Sequence, residues 1–176
     1  MRHRLVPACA LTLLLVAVVQ AAPIRVVPQA RDGSVLVSFD LADAFTEDVQ
    51  QAIHSGLNVS FLYDVELRRG VPFWIDRTVA SSTVGAAVQY DNLTRRHQLS
   101  RTIDGRTEPH SVVTEDEDRV RRWLTSFERL PLFTTSALEP NGEYYVRVRA
   151  RTRPRTGGIW PWSGGVSGDA KFTFIP

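Results

Sequence analysis

Cysteine is almost absent from this chain of 176 residues; the single one is Cys9. It lies in a leading segment expected to be removed. The mature chain would then have no disulfide, no thiol nucleophile and no cysteine metal ligand. Too little apolar sequence precedes Cys9 for a lipoprotein-type cysteine. Histidine is also scarce, four in all. His3 leaves with the leading segment, and His54, His97 and His110 fall on a helix end, a strand and a loop. None shows the short ligand spacing of a zinc site, so no metal or other cofactor is expected. The chain has no Gly-x-Ser-x-Gly elbow, and its Gly-rich run at 164–168 lacks the Gly-Lys-Ser/Thr ending of a phosphate loop. There is no internal repeat and no interdomain linker. A surplus of one charge is missing too. Lysine and arginine total 21 and acids 19, and two of the arginines, Arg2 and Arg4, belong to the leading segment. The remainder is close to neutral, which argues against nucleic acid as a partner.

The first residues read as a secretory signal. Arg2 and Arg4 give a charged start, residues 5–19 are apolar, and Val19-Gln20-Ala21 is a small-residue cleavage site. A cut after Ala22 would put Gln20 at a position that prefers a small residue, with Pro23 just past the bond. Retention as a membrane anchor is disfavoured, because the run falls short of the ~20 residues a spanning helix needs and Pro7 interrupts it. The expected organisation is a signal peptide over 1–21 and one domain over 22–176. That domain has no membrane span and is located in the periplasm or secreted. A chain of about 150 residues can bury roughly 70% of its unfolded surface, so it can dispense with disulfides.

What is present is alternation. In 143–155, Tyr144, Val146, Val148, Ala150 and Thr152 share one strand face. Tyr145, Arg147, Arg149, Arg151, Arg153 and Arg155 share the other. Residues 34–41 alternate likewise, with Val35, Val37, Phe39 and Leu41 inward. Residues 57–67 form the most regular strand, with Leu57, Val59, Phe61, Tyr63, Val65 and Leu67 on its core face. Before these, 23–33 reads as a lead-in with an edge strand at 24–27. A strand is expected within 74–90, where Gly85 suggests a bulge or a close strand approach. Asp91-Asn92 then turns the chain into a partner strand at 96–103, closed by Asp104-Gly105. Residues 106–113 read as polar loop. Two helices interrupt. One runs over about 47–54, capped by Thr46 and ended before Gly56. The other follows a capping box at Thr114-Glu115-Asp116-Glu117, shows Val120, Trp123, Leu124, Phe127 and Leu130 at helical spacing, and is stopped by Pro131. On it Arg119, Arg121 and Arg122 read as a solvated face, helped by Glu115 and Glu117. A last strand carries Phe172 and Phe174. The pattern predicts a mainly β fold, an antiparallel immunoglobulin-like β-sandwich with two short helical insertions.

The segment Leu138-Glu-Pro140-Asn-Gly-Glu-Tyr144-Tyr-Val146-Arg-Val148-Arg-Ala150 resembles the tyrosine-corner strand of fibronectin type III domains. Ile159-Trp160-Pro161-Trp162-Ser163 is similar to a shortened Trp-Ser repeat of cytokine-receptor domains, in which tryptophans stack between strand arginines. It lacks the first serine and one residue of spacing. The mature chain as a whole resembles a family of exported bacterial proteins known as domain-of-unknown-function family 4390. The carrying residues are Ser38-Phe39-Asp40-Leu41, the helix after Phe45, Gly56-Leu57, Tyr90-Asp91-Asn92-Leu93-Thr94 and Tyr144-Tyr145-Val146-Arg147-Val148. That resemblance implies a Gram-negative-type envelope location and brings no activity and no catalytic residues with it.

Two functions remain open. One is a non-enzymatic envelope protein, a binding or scaffolding module; the partner expected is an envelope protein or an anionic envelope molecule. The other is an enzyme or carrier acting on an anionic envelope lipid or glycan through the arginine face, whose guanidiniums suit phosphate or carboxylate. The candidate ligand-binding residues are Arg147, Arg149, Arg151, Trp160 and Trp162, and no catalytic residue is assigned. Like charges along one face need something between them. Asp64 and Glu66 could supply carboxylates, and Trp160 and Trp162 could fold back over Arg147, Arg149 and Arg151 as a cation–π ladder. Asp64 and Glu66 could also be an acid/base pair, but cross-strand pairing with arginine is the simpler reading. Asn58-Val-Ser60 and Asn92-Leu-Thr94 match the glycosylation triplet, which has no meaning in a bacterial source. N-terminal sequencing of the native protein should begin at Ala22; a start upstream of it would refute cleavage after Ala21.

Overall fold

In a computed structural model, the described residues are 24–70, 76–109, 111–152 and 165–176. They form two antiparallel sheets that pack as a sandwich, with two α-helices. The smaller sheet has the order β1-β2-β8, from β1 (Ile24–Arg31), β2 (Ser34–Leu41) and β8 (Ser126–Thr134). The larger has the order β10-β9-β3-β4-β5-β6. Its strands are β3 (Val59–Arg69), β4 (Arg77–Asp91), β5 (Arg96–Ile103), β6 (Arg106–Thr107), β9 (Glu143–Thr152) and β10 (Val166–Thr173), while β7 (Val112–Thr114) also pairs with β5. The helices are α1 (Glu47–His54) and α2 (Glu117–Thr125).

Alternation places the core as expected. Val35, Val37, Phe39 and Leu41 of β2 are buried, as are Val59, Phe61, Tyr63, Val65 and Leu67 of β3 and Tyr144, Val146, Val148 and Ala150 of β9. Phe39, Tyr63 and Phe127 meet where the sheets face each other, with ring centroids 4.5–5.0 Å apart. Leu57 is a correction: it is half exposed, and β3 begins two residues later. β1 is longer than the expected 24–27. It pairs with β2 from Ile24↔Leu41 to Arg31↔Ser34, through a two-residue turn in which Asp32 and Gly33 have φ of 51° and 75°. Such positive-φ pairs suit the twist of a hairpin. Pro28 fits because β1 lies at an edge. The 106–113 segment is not all loop, since it contributes β6 and the start of β7. Gly85 sits in an unbroken register, and a Cβ there would collide with the Thr102 hydroxyl; close approach, not a bulge, explains it.

The first helix has the expected bounds, with Thr46 Oγ1 accepting from the Val49 N–H at 3.4 Å and Gly56 at φ 77° beyond its end. The second requires two corrections. Its N-cap is Asp116, not Thr114: Asp116 accepts from the Asp118 and Arg119 N–H groups, while Thr114 Oγ1 accepts from the Asp116 N–H in a turn before the helix. It also ends at Thr125, so that Phe127, Leu130 and Pro131 belong to β8. Two register shifts between β2 and β8 put Phe127, Leu130 and Phe133 opposite Phe39, Val37 and Val35. Bulges stretch the inward spacing from two residues to three, and three is also a helical spacing. Arg129 takes the left-handed backbone, φ 47°, at one irregularity, and its N–H donates to Ser38 Oγ.

The Tyr144 hydroxyl accepts from the Glu139 N–H at 2.8 Å, which is the contact of a tyrosine corner. Arg69 clasps the Glu139 carboxylate through both terminal nitrogens, at 2.5 and 2.6 Å, and pulls that carboxyl below its ordinary pKa. β1 also lies close against β10, where Gly168 leaves room for the Ile24 carbonyl. A Cβ at Gly168 would overlap that oxygen. Gly168→Ala should therefore lower stability by about 1–3 kcal/mol, measured by urea denaturation; an unchanged midpoint would show that the contact between β1 and β10 can yield.

Candidate functional site

The arginine strand β9 lies between β10 and β3, so its outward side chains stand in register with theirs. Arg147 is flanked by Asp169 and Glu66, Arg149 by Ser167 and Asp64, and Tyr145 by Lys171 and Arg68. Arg151 makes an ion pair with Asp64. Glu66 pairs with Arg68 on its own strand at 3.4 Å. Asp64 thus does the work expected of a cross-strand partner, whereas the ion pair of Glu66 lies within its own strand. Arg147 is partly exposed, while Arg149 and Arg151 are exposed. Such pairs contribute little stability each, but they interleave the signs across the face.

A ring does lie between guanidiniums, and it is Tyr145. Arg68 lies 5.8 Å and Arg147 5.5 Å from its ring centroid. Its hydroxyl donates to Asp76 Oδ2 at 2.6 Å, and Arg68 donates to the Asp76 carbonyl at 3.1 Å. Burial, with the hydrogen bond to Asp76, raises the Tyr145 pKa. Trp160 and Trp162, and with them Arg153 and Arg155, lie outside the described residues.

The converse, a guanidinium against two rings, occurs half-buried at the helix end. Arg101 faces inward beside Leu99 on β5, 4.3 Å from the Trp123 ring and 4.5 Å from the Phe127 ring. It donates to the Trp123 carbonyl at 3.4 Å. Tyr63 donates to the Leu124 carbonyl at 2.6 Å, and the Ser126 N–H bonds back to Arg122. Two carbonyls that the helix itself leaves unpaired at its C-terminus, those of Trp123 and Leu124, are satisfied in this way, and the cation sits at the negative end of the helix. Burial lowers the Arg101 pKa and raises that of Tyr63. Strand alternation through His97, Leu99 and Arg101 was the available signal for this inward arginine.

The histidines are closer than their spacing implied. His54 and His97 have ring centroids 6.3 Å apart, with Tyr90 beside both, and His54 Nε2 lies 3.0 Å from Glu117 Oε1. No set of three metal-capable side chains occurs among the described residues. Glu115 pairs with Arg96, and Arg121 with Asp118, rather than with the helix partners first expected. No helix among the described residues is long and apolar enough to cross a membrane.

A family model described as Domain of unknown function (DUF4390) matches residues 20–156. No curated protein and no solved structure matches the chain.

His97 generates a pH prediction. It is almost fully buried, and burial lowers its pKa against the opposing effects of the Thr114 backbone and Glu117. The unfolded chain therefore binds a proton that the folded one resists as pH falls below about 6.5. The stability this residue contributes is full above that point and is lost as pH drops toward the depressed value. His97→Gln should flatten the fall in urea midpoint between about pH 7.5 and about pH 5. An identical pH dependence in the variant would remove His97 as its source.

Proposed function

The chain belongs to the DUF4390 family, and we propose that it is an exported protein of the cell envelope, working as a non-enzymatic binding or scaffolding module. Export rests on the charged start, apolar run and small-residue site of its first 21 residues. Binding without chemistry rests on one observation: the outer face of β10, β9 and β3 carries both signs of charge in register, around Tyr145. A broad face of this kind suits a macromolecule of complementary charge, and steers and orients it more than it encloses it. An anionic lipid or glycan meets Asp64, Glu66 and Asp169 among the arginines, which weighs against the carrier or enzyme reading. The partner class is therefore another envelope protein.

The test is photo-crosslinking from position 149 in the native envelope, followed by mass spectrometry. A discrete protein adduct is expected, lost when Arg147→Glu reverses the neighbouring charge at an unchanged melting temperature. Adducts confined to lipid or glycan would replace this reading with the anion-carrier one.

A further inference from the structure

On the smaller sheet, away from the arginine strand, a cleft of about 360 Å³ opens between the loop that leaves β2 and the last turn of α2. Asp40, Asp43 and Phe45 line it from the loop, and Arg121, Arg122 and Ser126 from the helix side. Its size falls within the range of small-molecule sites. The Asp40 carboxylate accepts a hydrogen bond from the Ser126 hydroxyl. Asp43 stands exposed on left-handed backbone, φ 54°. Neither aspartate makes an ion pair with a described residue. Arg121 and Arg122 reach carboxylates behind them on the helix, Asp118 at 3.0 Å and Asp116 at 3.8 Å, and keep 54% and 60% of their side chains exposed.

Two carboxylates and two guanidiniums thus share a cleft that no ion pair spans. The two arginines are paired along the helix instead, with Asp118 and Asp116, which leaves Asp40 and Asp43 without a cation among the described residues. A simple anion entering the cleft is repelled by Asp40 and Asp43, and a simple cation by Arg121 and Arg122. A molecule carrying both charges satisfies both sets. The cation must be a hydrogen-bond donor, because carboxylate and hydroxyl oxygens await it and a single half-buried ring, Phe45, makes no aromatic cage. The anion meets two guanidinium forks, which suit phosphate or carboxylate.

We propose that this cleft binds a small zwitterion, a primary ammonium joined by a short linker to a phosphate or carboxylate, with the ammonium on Asp40 and Asp43 and the anion on Arg121 and Arg122. The proposal uses a different surface from the outer-face reading and stands or falls apart from it. Both a soluble zwitterion and an ethanolamine-type lipid headgroup present this chemistry.

Calorimetric titration of the purified native protein with O-phosphoethanolamine tests it. Binding should be at least about tenfold tighter than for inorganic phosphate, ethanolamine or phosphocholine. Asp43→Asn, which tolerates the same backbone, and Arg121→Gln should each weaken it about tenfold, whereas Glu128→Gln outside the cleft should leave it intact. Flotation with phosphatidylethanolamine against phosphatidylcholine vesicles then separates the sources. Selective flotation assigns the headgroup, and titration without flotation assigns the soluble molecule; either supports the site. Phosphate binding as tightly as phosphoethanolamine, variants binding like the parent, or no binding at millimolar concentration would overturn it.

Discussion

A helix that ends inside a protein leaves carbonyl groups with no partner in the helix, and the centre of this molecule is built around that need. The C-terminus of α2 meets the inner face of the large sheet, where water is excluded. Tyr63 and Arg101 supply donors from two different strands, β3 and β5. An unsatisfied buried carbonyl costs about 1–3 kcal/mol, so two such donors are worth a substantial part of a domain's net stability. The same contacts explain why a half-buried arginine sits against two rings. The helix end offers it negative potential, and Trp123 and Phe127 cover its faces.

The strands were legible where period two ran unbroken. β2 and β5 have the bounds their alternation implied, and α1 ends where Thr46 and Gly56 say it should. β8 was not legible, because its bulges convert a strand's spacing into three and imitate a helix that continues from α2. No residue-by-residue propensity separates the two readings of Phe127, Leu130 and Pro131. The tertiary partner β2 decides between them. At the candidate site, the pairing of Asp64 with a β9 arginine followed from alternation. The role of Tyr145 did not, because it depends on Arg68 arriving from the neighbouring strand and on Asp76 from beyond the 71–75 segment. The inward Arg101 is not legible from patterning, because a cation on a core face contradicts it; the helix end that justifies it, at Trp123, lies 22 residues further along the chain.

The outer face of the large sheet combines strong local charge with near-neutral balance. Each arginine of β9 has an acid or a ring within reach on an adjacent strand or its own. Such an arrangement holds its side chains extended and oriented without a large field beyond the Debye length, about 8 Å at physiological salt. On the proposed reading, recognition there would depend on the spacing of charges across three strands, and a partner would have to match rows rather than a bulk sign.

β8 forms one border of the smaller sheet, and its irregularities alter what that border can do. An open strand edge is a template on which another chain, or another copy, can add a strand. Pro131 has no N–H to donate, Arg129 takes the backbone into the left-handed region, and Glu128 and Arg129 place exposed charge along the strand. The edge cannot offer an unbroken row of hydrogen-bonding groups to an incoming strand. The distortions that disguised β8 as a helix therefore also blunt this border of the smaller sheet as a template for a further strand.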